Sequence, residues 1–170
     1  TLPRVDSLPQ NVGQCAIFIG DDSSLFVAWR EGVCSLTPLE SMAAASLLAS
    51  CPELVCHDLK KTLHQLDLLG LPHGNFIFDT ALAAYDLNPS QSDYSIEKLS
   101  TNFLGSELPP MDGGARAECV LALYPVLEAE LKDKGMDNLY STVELPLCPV
   151  LYDMEKEGVA IDRQMLLRFG

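Results

Sequence analysis

From Gln14 to Ile19 the chain reads Gln-Cys-Ala-Ile-Phe-Ile, a continuous apolar run that Gly20, Asp21, Asp22, Ser23 and Ser24 stop abruptly. A strand with apolar side chains on both faces fits only inside a sheet that is covered on both sides. The rest of the chain must therefore supply partner strands and two layers of helices. Leu25 to Arg30 and Val33 to Leu36 are the first partners, and the Glu31-Gly32 link between them is a hairpin signal. Thr37-Pro38-Leu39-Glu40 then has the form of a capping box with Pro at the first helical position, opening a helix over Ser41 to Ser50.

Beyond Pro52, helix and strand alternate. Leu54-Val55-Cys56 is a short strand, after which Asp58 caps a helix through Leu59, Leu63, Leu66 and Leu69 that Gly70 ends. Asn75 to Phe78 is another strand. Asp79 begins a helix through Leu82, Ala83, Tyr85 and Leu87, closed by Asn88-Pro89. A short helix from Ser95 occupies Tyr94 to Leu104, and Gly105 to Gly114 is expected to be a mobile loop. Ala115 to Lys132 is strongly helical, with Pro125 expected to kink it or to mark a start. Three early strands followed by this alternation predict an α/β domain with a mixed five-stranded sheet and flanking helices.

The last segment, Val143 to Asp162, places Leu145, Leu147, Val150, Leu151 and Met154 at helical spacing, which predicts one buried stripe. Asp153, Glu155, Lys156 and Glu157 form its polar complement. Pro146 suits the first turn, and Gly158 suits a left-handed end to the helix before the apolar tail Val159, Ala160, Ile161. Asp162 could cap a further helix through Met165, Leu166 and Leu167, but the sequence stops at Gly170, as a piece of a longer chain would.

Charge and cysteine usage narrow the function. A formal charge of −13 on 170 residues, with scattered Lys and Arg, predicts poor binding of nucleic acid by this chain alone. Cys15, Cys34, Cys51, Cys56, Cys119 and Cys148 lie in or beside apolar stretches without a CxxC pair, which reads as buried free thiols. His57, His64 and His73 have no metal-binding spacing. Cys56 and His57 are adjacent on a strand and point opposite ways, which argues against a thiol-imidazole pair. Asp112-Gly113-Gly114 is a turn rather than a phosphate-cradling loop. Trp29 reads as core, and Lys60 and Lys61 as a solvated helix face that could touch phosphate. With no apolar run of membrane-spanning length and no secretion signal in Thr1 to Gln10, the expected compartment is the cytoplasm.

Glu144-x-Pro146-Leu147-x-x-x-Leu151-x-x-Met154-Glu155-x-x-Gly158-Val159-x-x-Asp162 resembles the junction of exonuclease and polymerase domains in family A DNA polymerases, the DNA polymerase I type. The stretches from Cys56 to Leu71, Phe76 to Pro89 and Tyr94 to Gly105 resemble the middle of the same exonuclease domain, in the same order. The resemblance implies a ribonuclease H-like (DnaQ-like) fold, a 3'-5' exonuclease-like domain over residues 1–142, and a connecting helix with the start of a polymerase domain over 143–170. It implies a monomer whose parent chain is a DNA-directed DNA polymerase of replication and repair, a nucleotidyltransferase that binds DNA and uses Mg2+ or Mn2+. The partner of this segment would be the polymerase domain of the same chain.

Family exonucleases hold two divalent ions on four carboxylates, because hard ions need oxygen donors. In this sequence the family's D-x-E falls on Gly20 and Asp22, the Asp of N-L-K-x-D on Thr62, and the Asp of Y-x-x-x-D on Arg116, with Asp112 at the Tyr position. Only Asp22 remains as a metal ligand, and arginine repels metal. The resemblance therefore implies no functional catalytic residue and no cofactor in this segment. The domain would be inactive as an exonuclease and serve as a structural support. Two alternatives stand beside this: an active two-metal exonuclease with displaced ligands drawn from Asp21, Asp22, Asp58, Asp79 and Glu118, or an acidic module that recruits a basic protein.

Overall fold

The computed structural model describes residues 1–9 and 11–158. The expected apolar tail at Val159 to Ile161 and the helix capped by Asp162 lie outside the described residues. In chain order the elements are β1 (Gln14–Ile19), β2 (Leu25–Trp29), β3 (Gly32–Leu36), α1 (Ser41–Ser50), β4 (Glu53–Cys56), α2 (Leu59–Leu68), β5 (Phe76–Asp79), α3 (Thr80–Leu87), α4 (Ile96–Leu99), α5 (Gly113–Asp133), α6 (Asp137–Leu139) and α7 (Leu145–Glu157).

Among the described residues the strands form one sheet in the order β3-β2-β1-β4-β5, with β1 to β3 antiparallel and β4 and β5 parallel to β1. The strand β1 is central, as its doubly apolar sequence requires. Cys15, Ile17 and Ile19 point to one face, where α1, α2 and α7 pack through residues such as Leu48, Leu63 and Tyr152. Ala16 points to the other, under α3, α4 and α5 with Ala83, Leu99, Leu123 and Leu127. Burying each leucine of this kind contributes about 1.5–3 kcal/mol. The edge at β3 is closed by the amino-terminal segment: Val5 N donates to Val33 O and Val33 N donates to Pro3 O, at 2.9 and 3.0 Å.

Several boundaries differ from the sequence expectation. Trp29 pairs with Gly32, so the hairpin turn is Arg30-Glu31, one residue before the expected Glu31-Gly32. The Thr37 box closes a 3-10 turn over Pro38–Glu40 before α1 begins, with Thr37 N donating to Glu40 Oε2 at 2.9 Å. The helix α5 starts at Gly113, its first turn capped by Asp112, and so takes the last two residues of the expected loop. It runs on through Pro125 without a new start.

The largest correction concerns α7. Its inward side carries Leu145, Cys148 and Tyr152, and Tyr152 is only 2% exposed beside α2. Leu147, Val150, Leu151 and Met154, expected to be buried with Leu145, lie on the opposite side and are 41–55% exposed. The apolar residues of α7 lie on two faces rather than the one that their spacing predicts. Its polar residues tie it down: Lys60 pairs with Glu155 at 2.8 Å and Lys156 with Asp67 at 2.5 Å, while the Tyr152 hydroxyl donates to Asp67. Gly158 has the positive φ expected of it (71°), but its ψ of 154° is extended rather than left-handed helical.

Candidate functional site

The parallel strands β1, β4 and β5 all deliver their carboxyl ends to one edge of the sheet, the position at which open α/β sheets place ligands. A cleft of about 460 Å³ lies there, lined by Phe18, Ile19, Asp21, His57, Asp58, Lys61, Thr62, Glu97 and Arg116 among others. A second hollow of about 340 Å³ shares Phe18, Asp21 and Arg116 with it and adds Gly20, Asp22, Phe26, Met111 and Gly113. The four positions singled out in the sequence therefore do meet around one spot. Arg116 stands between the two hollows, with Thr62 on one side and Gly20 and Asp22 on the other.

Arg116 is held there firmly. Its side chain is 17% exposed, Nη2 lies 2.5 Å from Glu97 Oε1, and Nη1 donates to the Asp112 carbonyl at 3.2 Å. Its guanidinium carbon sits 5.9 Å from the centre of the Phe18 ring. Asp22 turns away into its own loop, where Oδ1 accepts the Ser24 N–H at 3.1 Å and Oδ2 the Ser24 hydroxyl at 3.0 Å. These bonds, the backbone one first, hold its exposed carboxyl below the usual range.

Gly20 offers no side chain, and the space for one is taken. A Cβ at this position would meet Asp22 Oδ1 at 2.8 Å and the Phe26 ring at 3.2 Å. Thr62 is 6% exposed, and its hydroxyl donates to Asp58 O at 2.9 Å in the first turn of α2. Among the described residues no three Asp, Glu, His or Cys side chains are grouped so as to hold a metal ion. At the four positions stand a glycine, a self-bonded aspartate, a threonine spent on the backbone and a cation, a set that does not fit a pair of divalent ions, while Asp21, Asp58 and Glu97 are further acids lining the cleft.

The remaining acids have structural duties. Asp79 is 3% exposed, and its carboxylate accepts four backbone N–H groups: Asp58 at 2.9 Å, Leu59 at 2.8 Å, Ala81 at 2.9 Å and Leu82 at 3.3 Å. It thus caps α2 and α3 together, satisfying amides that helix starts leave open. Burial pushes its carboxyl up, and the amides draw it back. The Tyr140 hydroxyl accepts from Asp79 N at 2.7 Å and donates to Asp79 O at 3.0 Å. Asp58 adopts a left-handed backbone (φ 62°), which Asp tolerates, while its side chain caps Lys61 N at 3.0 Å.

The other candidate side chains divide between the cleft, which His57 and Lys61 line, and the surfaces and core around it. Glu118 points toward the amino-terminal segment, where Oε2 accepts Leu2 N at 2.9 Å. Lys60 is engaged with Glu155, whereas Lys61 faces the cleft. Trp29 is 6% exposed, in the core. His57 Nδ1 lies 2.8 Å from Thr80 Oγ1, which also lies 3.4 Å from Cys56 O. Burial holds this imidazole below its ordinary pKa. Sequence reasoning missed Glu97 and Tyr140 entirely. Nothing local connects Glu97 to a residue 19 positions away, although an acid in the first turn after the Ser95 cap could have drawn attention.

No family model matches the sequence. Curated relatives do: DNA polymerase I of Mycobacterium leprae is 33% identical over 177 residues, spanning 86% of this chain and 19% of that protein. The chain spans about a fifth of the length of the curated relatives it matches first. Among solved structures, the POL domain of Pol1 from M. smegmatis, in complex with DNA primer-template and dNTP, superposes with a TM-score of 0.77 at 30% identity, covering 91% of this chain and 30% of that one. NrnC of Brucella melitensis bound to pGG superposes with a TM-score of 0.72 at 14% identity, covering 93% of this chain and 95% of that one. The second likeness establishes the fold, a ribonuclease H-like exonuclease fold with a mixed five-stranded sheet. By sequence over most of its length, and by this fold, the chain belongs to the DNA polymerase I family, the family A DNA polymerases.

Proposed function

We propose that this chain is the exonuclease-like region, residues 1–142, and the connecting helix of a DNA-directed DNA polymerase, and that the region has no 3'-5' exonuclease activity. The observation that carries this reading is the Arg116–Glu97 pair, which puts a fixed cation between the two hollows of the cleft. A cation there disfavours a divalent ion by direct repulsion, and the pair spends the nearest carboxylate on arginine. Mg2+ or Mn2+ would then serve the polymerase reaction, outside these residues. Primer-template contact likewise belongs to the rest of the parent chain, in keeping with a charge of −13 here. Under this reading the protein is a cytoplasmic monomer working in replication and repair. Among the described residues no helix is long and apolar enough to cross a membrane.

The domain's task under this reading is mechanical. Its core is closed beneath α7, and the exposed row of Leu147, Val150, Leu151 and Met154 faces outward, where the polymerase domain of the same chain packs. A displaced-ligand exonuclease would instead gather Asp21, Asp58 and Glu97, which line the same cleft. A titration of this chain with Mn2+, followed by the electron paramagnetic resonance signal of the free ion, separates the two. The signal should persist at its full height as the protein is added. Loss of it with a stoichiometry of one or two ions per chain would overturn the proposal.

A further inference from the structure

The end of the sheet opposite the cleft holds a pair of thiols that the proposed function does not use. Cys15, at the start of β1, is fully buried, and Cys51, just past the last turn of α1, is 4% exposed. Their Sγ atoms are 3.6 Å apart across 35 intervening residues, within one hydrophobic cluster. The Cys51 Sγ also lies 3.6 Å from the Glu53 carbonyl. Cys34 and Cys56 are the other buried thiols of that cluster. Closing the gap to a disulfide length of about 2.05 Å requires the sulfurs to approach by roughly 1.5 Å.

We propose that Cys51 and Cys15 form a peroxide-responsive dithiol, in which oxidation of Cys51 is captured by Cys15 as an intrachain disulfide that fastens the end of α1 to β1. The two thiols divide the roles by their surroundings. The bond from Cys15 holds the Cys51 thiol down at about 6, whereas that bond and burial push Cys15 up. Cys51, the less deeply buried of the two sulfurs, is thus the one that ionises more readily and meets the reagent first. In the first step the Cys51 thiolate attacks the distal oxygen of a hydroperoxide, the O–O bond breaks, and Cys51 becomes a sulfenic acid while the alkoxide or hydroxide takes up a proton. In the second, Cys15 sulfur attacks Cys51 sulfur, the S–O bond breaks, and hydroxide leaves with the Cys15 proton as water. The hydroperoxide is the oxidant consumed, one per disulfide. Reagent reaches Cys51 when the last turn of α1 and the Cys51-Pro52 corner open, because the closed state leaves little sulfur surface.

The test is peptide mapping of the 170-residue chain after exposure to a few equivalents of hydrogen peroxide, with free thiols then blocked by alkylation. Cleavage after glutamate at Glu31, Glu40 and Glu53 places Cys15, Cys34 and Cys51 in three different peptides. The proposal expects a Cys15–Cys51 linked pair, lighter by two hydrogens than its parts and released by reductant, with Cys34, Cys56 and Cys119 still alkylated. In the Cys15→Ser variant, Cys51 should instead be trapped as a sulfenic acid by a dimedone-type reagent. Overoxidation of Cys51 with Cys15 left free in the wild-type chain would overturn the proposal, as would a Cys15–Cys34 link. Should the variant fail to fold, the wild-type map alone decides.

Discussion

Arg116 Nη2 lies 2.5 Å from Glu97 Oε1 at the carboxyl edge of the sheet, a contact between the first turn of α5 and the first turn of α4. Arg116 lines both hollows of the cleft, so under the proposed reading the same contact that fills the cleft also keeps divalent ions out of it. Arg116→Asp should not create nuclease activity, because Gly20 and Thr62 still supply no carboxylate. It should also lower stability by about 1–2 kcal/mol, through lost packing on Phe18 and repulsion from Glu97. Urea unfolding of the variant checks the second statement.

Gly20 lies close against the Asp22 and Phe26 side chains, so a side chain introduced there has a predictable cost. Gly20→Asp should destabilise the fold by about 1 kcal/mol, since its Cβ falls 2.8 Å from Asp22 Oδ1, so that the Asp22 side chain swings aside and gives up its bonds to Ser24, and 3.2 Å from the Phe26 ring. Pairing it with Asp22→Ala should recover part of that loss, a coupling that a double-mutant cycle in urea measures.

Asp79 joins α2, α3 and the segment carrying Tyr140. Asp79→Ala should cost at least about 3 kcal/mol because four amides lose their acceptor, two of them at each helix start. Tyr140→Phe removes one bonded hydroxyl beside the buried Asp79 backbone and should cost about 1–2 kcal/mol. Both values come from the shift in urea midpoint at constant slope.

Asp86 supplies a pH dependence. It is 8% exposed with one oxygen lacking a partner, and burial, with Glu144 beside it, pushes its carboxyl up to about 6. An unfolded carboxyl titrates near about 4. A raised folded value means that this group's contribution is fully present below about pH 4 and is lost as pH rises through 6. Asp86→Asn should therefore stabilise the chain by about 1 kcal/mol at pH 7 and leave it unchanged at pH 4. Thermal melts at the two pH values give the comparison.

The two faces of α7 predict opposite mutational outcomes. Tyr152→Ala opens the packing against α2 and should cost about 3 kcal/mol, whereas Leu147→Ser and Val150→Ser should change stability by less than about 0.5 kcal/mol. Unchanged behaviour of Tyr152→Ala would contradict the docking of α7 described above.

Much of this architecture was legible from residue order. The doubly apolar β1 demanded a covered central position, and the caps at Thr37, Asp58, Asp79 and Ser95 marked helix starts because a side-chain acceptor must precede free amides. The convergence of Gly20, Asp22, Thr62 and Arg116 came from family spacing rather than from periodicity. What sequence could not supply was long-range choice. A helical period gives the angle between apolar residues but not which side meets the domain, so the spacing of Leu147, Val150 and Leu151 cannot tell that they face away from the core that Leu145 touches. Likewise Glu97 and Tyr140 reach their partners only after the chain has folded back, and no local signal records that.

Incubation of this chain with a 5'-labelled single-stranded oligonucleotide in Mn2+ tests the central claim most directly, with a chelator and Asp22→Ala as controls. The account predicts full-length oligonucleotide at high protein concentration and long times. A ladder of products shortened from the 3' end, abolished by both controls, would contradict it and return Asp22 to the role of a metal ligand.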